Sequence, residues 1–366
     1  MGKKAGKPSA PAPLKPGTYY HRYIVRENES PPLGLLGLQE RYGKGKQSHS
    51  DELLFIIIHQ TYELWFKLII EELLRPKTGA VARIKAGQFA QGATTVRRLT
   101  KITNILAKQY AIVETITPSD FLVFRDVLRP SSGYDSSQFR AVELASGLRG
   151  DAAYLQHLTG VTTPKAGLAE IRRAKAAVRA GREVEGSGYS IVQRMVQAGD
   201  INGLELLERA LSAESLRDVI YDSVMGAHAH HDEWKPAAIS KWLGKRAREW
   251  KSAQAEARTS GFPHEAALEA EAAAHIQLNA VGLYQAATRG HLGHGDARAL
   301  YDLIEALIEY DEAFRNLRSI HVHMVLRVIG GKSGTGGSAG ARYLRTTLDY
   351  EFFPLLWRAR DKMEGP

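Results

Sequence analysis

Two histidines stand where apolar side chains belong. Residues 51–66 read DELLFIIIHQTYELWF, so His59 follows six apolar residues in a row, Leu53 to Ile58. On a helix its neighbours are Phe55 four before, Tyr62 three after and Phe66 seven after. An imidazole in that setting is mostly removed from water and needs a hydrogen-bond partner or a metal. The second histidine lies near the end of the chain. Leu303, Leu307, Tyr310, Phe314, Leu317, His321, Met324 and Val328 alternate steps of four and three. They form one apolar seam in which His321 takes the place of a leucine.

Each histidine alone reads first as a core residue bonded to a carbonyl. Two of them on two long helices suggest a helical bundle with something polar or metallic at its centre. Dinuclear bundle sites use Glu-x-x-His pairs, and neither His59 nor His321 belongs to one. One imidazole per helix suits haem, whose iron needs a single axial imidazole and leaves its opposite face for oxygen.

Three other stretches carry candidate chemistry. FLVFRDVLRP places Phe121, Arg125 and Leu128 on one face of a short helix. An arginine there is a structural ion pair or, if it lines a cavity, a bidentate carboxylate clamp. GGKSGTGGSAG, residues 330–340, has six glycines in eleven residues. It is no phosphate-binding loop, since Leu326 stands where the first glycine is required and a helix precedes it. It reads as a linker, a helix stop, or a mobile loop whose backbone and whose Thr335 and Ser338 hydroxyls close over a ligand. His228, His230, His231 and Asp232 read as an exposed polar corner.

The elements that must position these residues are almost entirely helical. Ser50 starts a helix with Asp51 and Glu52 in its first turn, running to about Leu74. Helices are expected over 86–109, from Thr117-Pro118 to before Pro130, over 138–148, 203–227, 236–252, 263–288 and 296–329. The stretch 165–200 shows no strong pattern, and strand signals are nearly absent. The expected fold class is all-α, a helical bundle in one domain over 18–366, with a small helical insertion near 190–260.

Composition narrows the chemistry further. The chain has 366 residues, 44% apolar and 24% charged, with no cysteine. Zinc–thiolate sites, iron–sulfur clusters and a thiolate haem ligand are therefore excluded, and any metal must be held by His or carboxylate. The net charge of +9 is partly local to residues 1–17, MGKKAGKPSAPAPLKPG, a basic, proline-rich segment expected to be disordered. It lacks the apolar stretch of a signal peptide, and no apolar run approaches about 18 residues, so no membrane span is expected. No nucleic-acid motif accompanies the charge. A cytoplasmic protein is expected.

Taken together, the sequence resembles the tryptophan 2,3-dioxygenase family. Four blocks carry the likeness in the family's order: a Tyr-x-x-Tyr segment near the start; DELLFIIIHQTYELWFK; FRDVLRPSSGYDSSQFR; and HVHMVLRVIGGKSGTGGSAGARYLR, followed by FFPLLW. The likeness thins between about 150 and 290. It implies an all-α homotetramer holding haem b, with L-tryptophan and O2 as substrates. By that likeness His321 is the axial ligand of the haem iron and His59, opposite it, accepts the indole N–H. Phe55 and Phe121 line the pocket, Arg125 clamps the substrate carboxylate, and Thr335 contacts the ammonium and carboxylate. Ser132 lies near the haem edge. Tyr20, Tyr23 and Ile24 match a segment that reaches into a neighbouring subunit's site. In the family both oxygen atoms enter tryptophan and the ring opens to N-formylkynurenine.

The sequence also departs from the family pattern. SSGYDSSQF has Tyr134 where Phe is expected and introduces the charge of Asp135. His21 and Arg22 are bulky cations where small residues are usual, and Ala339 replaces a common serine. These changes leave open a related haem monooxygenase or dioxygenase acting on tryptophan or a substituted tryptophan, for example one forming a 2-oxindole in secondary metabolism. A haem- or ligand-binding bundle without catalysis is a further alternative.

Overall fold

The computed structural model of the chain describes Gln39 and residues 50–128, 136–181, 190–229, 295–334 and 340–361. These are helical throughout, and no strand occurs among the described residues. They fall into two compact units, one ending at Ile58 and the other beginning at His59. Of the first unit the structure describes Gln39 and the opening turns of a helix, α1 (Ser50–Leu74), which continues into the second unit.

The second unit is ordered around two long helices, α3 (Phe89–Val113) and α11 (Gly295–Ile329), whose packing on each other is the most extensive among the described residues. Their seams explain why. Val96, Leu99, Thr103, Leu106 and Val113 recur at helical spacing and are buried, and so are Leu303, Leu307, Tyr310, Phe314, Leu317, Met324 and Val328 on α11. Each buried Leu or Phe contributes about 1.5–3 kcal/mol of transfer free energy. An aromatic column ties α1 to this pair. Phe66 lies 5.2 Å from Phe139 of α5 (Ser137–Ser146), and Phe139 lies 6.4 Å from Phe314.

Sequence boundaries hold where a cap or a proline marks them. Thr117 caps α4 (Pro118–Phe124) by accepting from the Asp120 N–H, as its sequence predicts. The helix expected over 86–109 is α3, which starts and ends a few residues later; a short helix that the sequence did not mark, α2 (Ala80–Lys85), precedes it, and Gly87, at φ 73°, turns the chain between them. The described residues of the patternless stretch 165–200 are mostly helix, in α7 (Pro164–Arg179) and α8 (Ile191–Gln197), with α6 (Ala152–Thr159) before them. α8 is too short for its periodicity to show, and α7 buries mainly small residues, Gly167, Ala174 and Ala177. The single helix expected over 203–227 breaks into α9 (Ile201–Ser212) and α10 (Leu216–Ala229), because the Ser215 N–H and hydroxyl bond Asp218 to start a new helix. The helices expected over 236–252 and 263–288 lie outside the described residues, as does the later part of the expected insertion, 230–260.

One expectation about α1 needs correction. Although no unbroken apolar run is long, the helix from Asp51 to Leu74 is long and apolar enough to cross a membrane by length and composition. His59, Gln60 and Thr61 interrupt the run without making the average polar. The helix nonetheless docks on α3, where the Tyr62 hydroxyl donates to the Leu106 carbonyl at 2.7 Å and Arg98 bonds Glu72 at 2.8 Å.

A buried ionic cluster locks the C-terminal segment onto the bundle. Glu143 is fully buried and accepts from Arg140 at 2.6 Å, Arg318 at 3.1 Å and the Tyr154 hydroxyl at 3.1 Å. Arg318 also donates to the Tyr350 carbonyl at 2.8 Å. Nearby, Asp311 of α11 accepts from the Phe352 and Phe353 N–H groups and from the Trp357 indole, joining it to α13 (Pro354–Asp361). Removing one partner of such a cluster leaves an uncompensated buried charge, which costs about 3–5 kcal/mol.

At the edge of this cluster, His157 bonds the Tyr343 hydroxyl at 2.9 Å and stacks on its ring at 4.8 Å. Burial, and then the Arg140 charge, push the His157 pKa down to about 4 against a smaller opposing pull from Glu143. An unfolded histidine titrates near 6.5, so between pH 6.5 and 4 the unfolded chain binds a proton that the folded chain does not. Stability is unaffected by this residue above pH 6.5 and falls as the pH drops through that window, by at most about 1.4 kcal/mol per pH unit. The variant His157→Gln should therefore lose less stability between pH 7 and 5 than the wild type in urea unfolding. An equal loss in both proteins would place the acid sensitivity elsewhere.

Candidate active site

His321 sits in the α11 seam at the position the sequence marks, half-buried among fully buried neighbours. Its ring lies face to face with Tyr110 of α3, with centroids 5.0 Å apart and planes 9° from parallel. Burial, then repulsion from His59 and from Arg140, push its pKa down to about 4. The imidazole is therefore neutral at pH 7, the form that binds a metal. His59, on α1 and 262 positions away in sequence, is thus among the charges that act on His321.

His59 itself departs from expectation. It is exposed, not mostly removed from water. One helix buries only part of its circumference, and the apolar residues before His59 in sequence do not all share its face. Its helix is pinned one turn further on, where the Gln138 amide donates to both the backbone carbonyl and the carboxylate of Glu63 at 2.9 and 2.8 Å.

Arg125 follows α4 directly and opens the short 3-10 helix Arg125–Leu128. Its side chain is buried, with the residue 8% exposed. One terminal nitrogen donates to the carbonyl of Ser333, in the segment that leaves α11, while its buried Nε–H has no partner. A buried guanidinium with an unused N–H is suited to a planar anion such as a carboxylate. Phe121, one turn earlier, is also buried and meets Phe124 edge-on at 5.3 Å. Phe55 is half-buried and belongs to the first unit. Tyr20, Tyr23, Ile24, Ser132, Thr335, Tyr134, Asp135 and Ala339 lie outside the described residues.

Among the described residues there is no group of three or more His, Asp or Glu side chains that could hold a metal ion. The α11 seam offers instead the single imidazole of His321, neutral at pH 7. That set fits haem, because the porphyrin supplies the remaining nitrogen ligands and asks of the protein one unprotonated axial nitrogen.

The family model of tryptophan 2,3-dioxygenase matches residues 15–178 and 283–363, a span that includes both histidines and Arg125. The chain belongs to the tryptophan 2,3-dioxygenase family. It is 30% identical over 313 residues to the tryptophan 2,3-dioxygenase of a Nocardioides species, covering 86% of this chain and 85% of that one. Against the tryptophan 2,3-dioxygenase of Myxococcus xanthus it is 30% identical over 330 residues, or 90% and 87% of the two chains. The unmatched stretch 179–282 of the family model coincides with the region where the sequence likeness thins. Membership makes the chain an oxidoreductase of the dioxygenase type.

Sequence reasoning missed several residues of this site. Tyr110 continues the α3 seam of Leu99, Thr103 and Leu106 at the next three-or-four step, and that spacing could have found it. Gln138 and the Arg140–Glu143 pair are polar residues within the otherwise buried α5, a signal of a deliberate internal network.

Proposed function

We propose that this tryptophan 2,3-dioxygenase family member oxidises L-tryptophan with O2 at a haem b held by His321, inserting both oxygen atoms across the indole C2=C3 bond to give N-formylkynurenine. The observation that carries the reading is the buried Arg125 guanidinium, bonded to Ser333 of the segment leaving the helix that bears His321. It joins an anion site to the neutral imidazole of His321.

Bound haem supplies the iron that binds and activates O2. The protein supplies position. Arg125 forks onto the substrate carboxylate, fixing the amino acid end. His59, from the neighbouring helix, accepts the indole N–H. Phe55 and Phe121 flank the indole, Thr335 meets the ammonium and carboxylate, and Ser132 lies at the haem edge. An electron-rich indole held beside activated oxygen needs no strong protein base, and holding the reactants in register supplies much of the rate.

In this reading residues 18–366 act as one catalytic domain in a cytoplasmic homotetramer, with Tyr20, Tyr23 and Ile24 of each chain completing a neighbour's site. Two features support the assembly. Leu64, Ile105, Ile112, Leu122 and Val123 are exposed apolar side chains. The most apolar window of α1 is only 28% buried, leaving a face for another chain to cover.

The test is mass analysis of the product when ferrous, haem-loaded protein meets L-tryptophan and air. A gain of two oxygen atoms with a kynurenine-type chromophore is expected. A gain of one would move the assignment to an oxindole-forming monooxygenase, the outcome that the Tyr134 and Asp135 departures would then explain. Absence of product and of any change in the haem spectrum on adding tryptophan would overturn the reading.

A further inference from the structure

We propose that Tyr110 is a positioning residue that sets the plane of the His321 ring through face-to-face stacking. The proposal rests on the haem reading above and concerns what prepares the ligand for it.

The geometry is specific. A histidine on a helix retains rotation about its terminal side-chain bond, which is broad and lacks sharp staggered wells. Nothing in the helix itself therefore chooses an orientation for the imidazole. Tyr110 does, because its ring lies 9° from parallel with that of His321 at 5.0 Å. Tyr110 is in turn held from behind. Tyr62 stands 5.3 Å from it, and the Tyr62 hydroxyl is anchored to the Leu106 carbonyl one turn back on α3. Tyr62 and Phe66 are themselves 6.0 Å apart on α1, which closes the aromatic wall. The result is a chain of contacts running from the helix of His59 through Tyr62 and Tyr110 to His321, across three helices.

A ligand ring held in one plane before iron arrives loses little freedom on coordination, and partners that orient a metal-binding histidine commonly change metal affinity by about 10–100-fold. Such partners usually bond the second ring nitrogen; here the orienting group is a ring face. Among the other buried polar groups, the Arg140–Glu143–Arg318 cluster serves to hold α11 against α5 and the C-terminal segment.

The experiment compares full-length, haem-loaded wild type with Tyr110→Phe, Tyr110→Leu and Tyr110→Met. Two readouts are taken: the iron–imidazole stretching band of the ferrous protein in resonance Raman, and the rate of haem transfer to an excess of an acceptor apoprotein. Phe keeps a flat ring, so its band and transfer rate should stay within about twofold of the wild type, as expected for a retained aromatic pair. Leu and Met fill the space without a face, so their bands should shift or broaden and haem should leave at least about tenfold faster. Wild-type behaviour in both aliphatic variants would overturn the proposal. So would a Phe variant as disturbed as Leu, since the hydroxyl would then matter more than the stack; that arm decides even if an aliphatic variant fails to fold. His321→Ala, run alongside, separates the two readings. Loss of the iron–imidazole band there, with no effect at Tyr110, would leave the haem ligand standing and remove only the positioning role.

Discussion

Replacing His321 by alanine is expected to give a folded protein that does not retain haem. Alanine is the best helix former, so the 35-residue α11 should persist, and its seam keeps Leu317 and Met324 on either side of the lost ring. What disappears is the neutral imidazole of the α11 seam. Partners that merely orient a ligand change metal affinity by about 10–100-fold, so removing the ligand itself should exceed that range. The measurement is haem absorbance per protein after gel filtration, with circular dichroism to show that helix content is unchanged. Retention of haem with an intact ferrous imidazole spectrum would refute the assignment and turn attention to His59.

The variant Arg125→Ala should weaken L-tryptophan binding by about 2–5 kcal/mol, at least about thirtyfold in affinity, while haem content stays unchanged. The size follows from burial. In water a guanidinium–carboxylate pair is screened to little value, whereas this side chain is enclosed and already holds one N–H without a partner. Lysine should rescue only in part, because a point charge cannot reproduce two parallel N–H bonds. Tryptamine, which lacks the carboxylate, provides the control. Its binding should be similar in wild type and variant, since it brings no carboxylate for the guanidinium to hold. If L-tryptophan binds the alanine variant as tightly as the wild type, Arg125 is a structural anchor for Ser333 and the clamp lies elsewhere.

Much of the site was legible in the chain because helices make it so. The steps of four and three from Leu303 to Val328 place His321 on a buried stripe without reference to any other element, and the structure buries the seam's apolar members on that stripe. Thr117-Pro118 starts α4 where its capping chemistry says, and this determines where Arg125 emerges. The residue types, together with four ordered blocks, pointed to the family that the family model then matched. Local chemistry was enough for each of these.

Contacts between helices were not legible in that way. Whether His59 would be enclosed depended on what covers its face of α1, and periodicity describes a helix without its neighbours; in the described chain the ring is exposed. The short helices α6 and α8 carry too few turns for a stripe to show, α7 buries mainly small residues that mark no apolar stripe, and tertiary packing of Tyr154, Leu158, Ile171 and Ile191 makes them. Tyr110 belongs to a helix whose seam is plain in sequence, yet its partner lies 211 positions away on α11 and stacking has no sequence period. By itself, then, the sequence determined the helices, the stripe that carries the ligand and the residue types of a tryptophan dioxygenase. Only the tertiary structure decided which side chains meet, because the packing of α1, α3 and α11 is set by the sum of many weak contacts between distant residues.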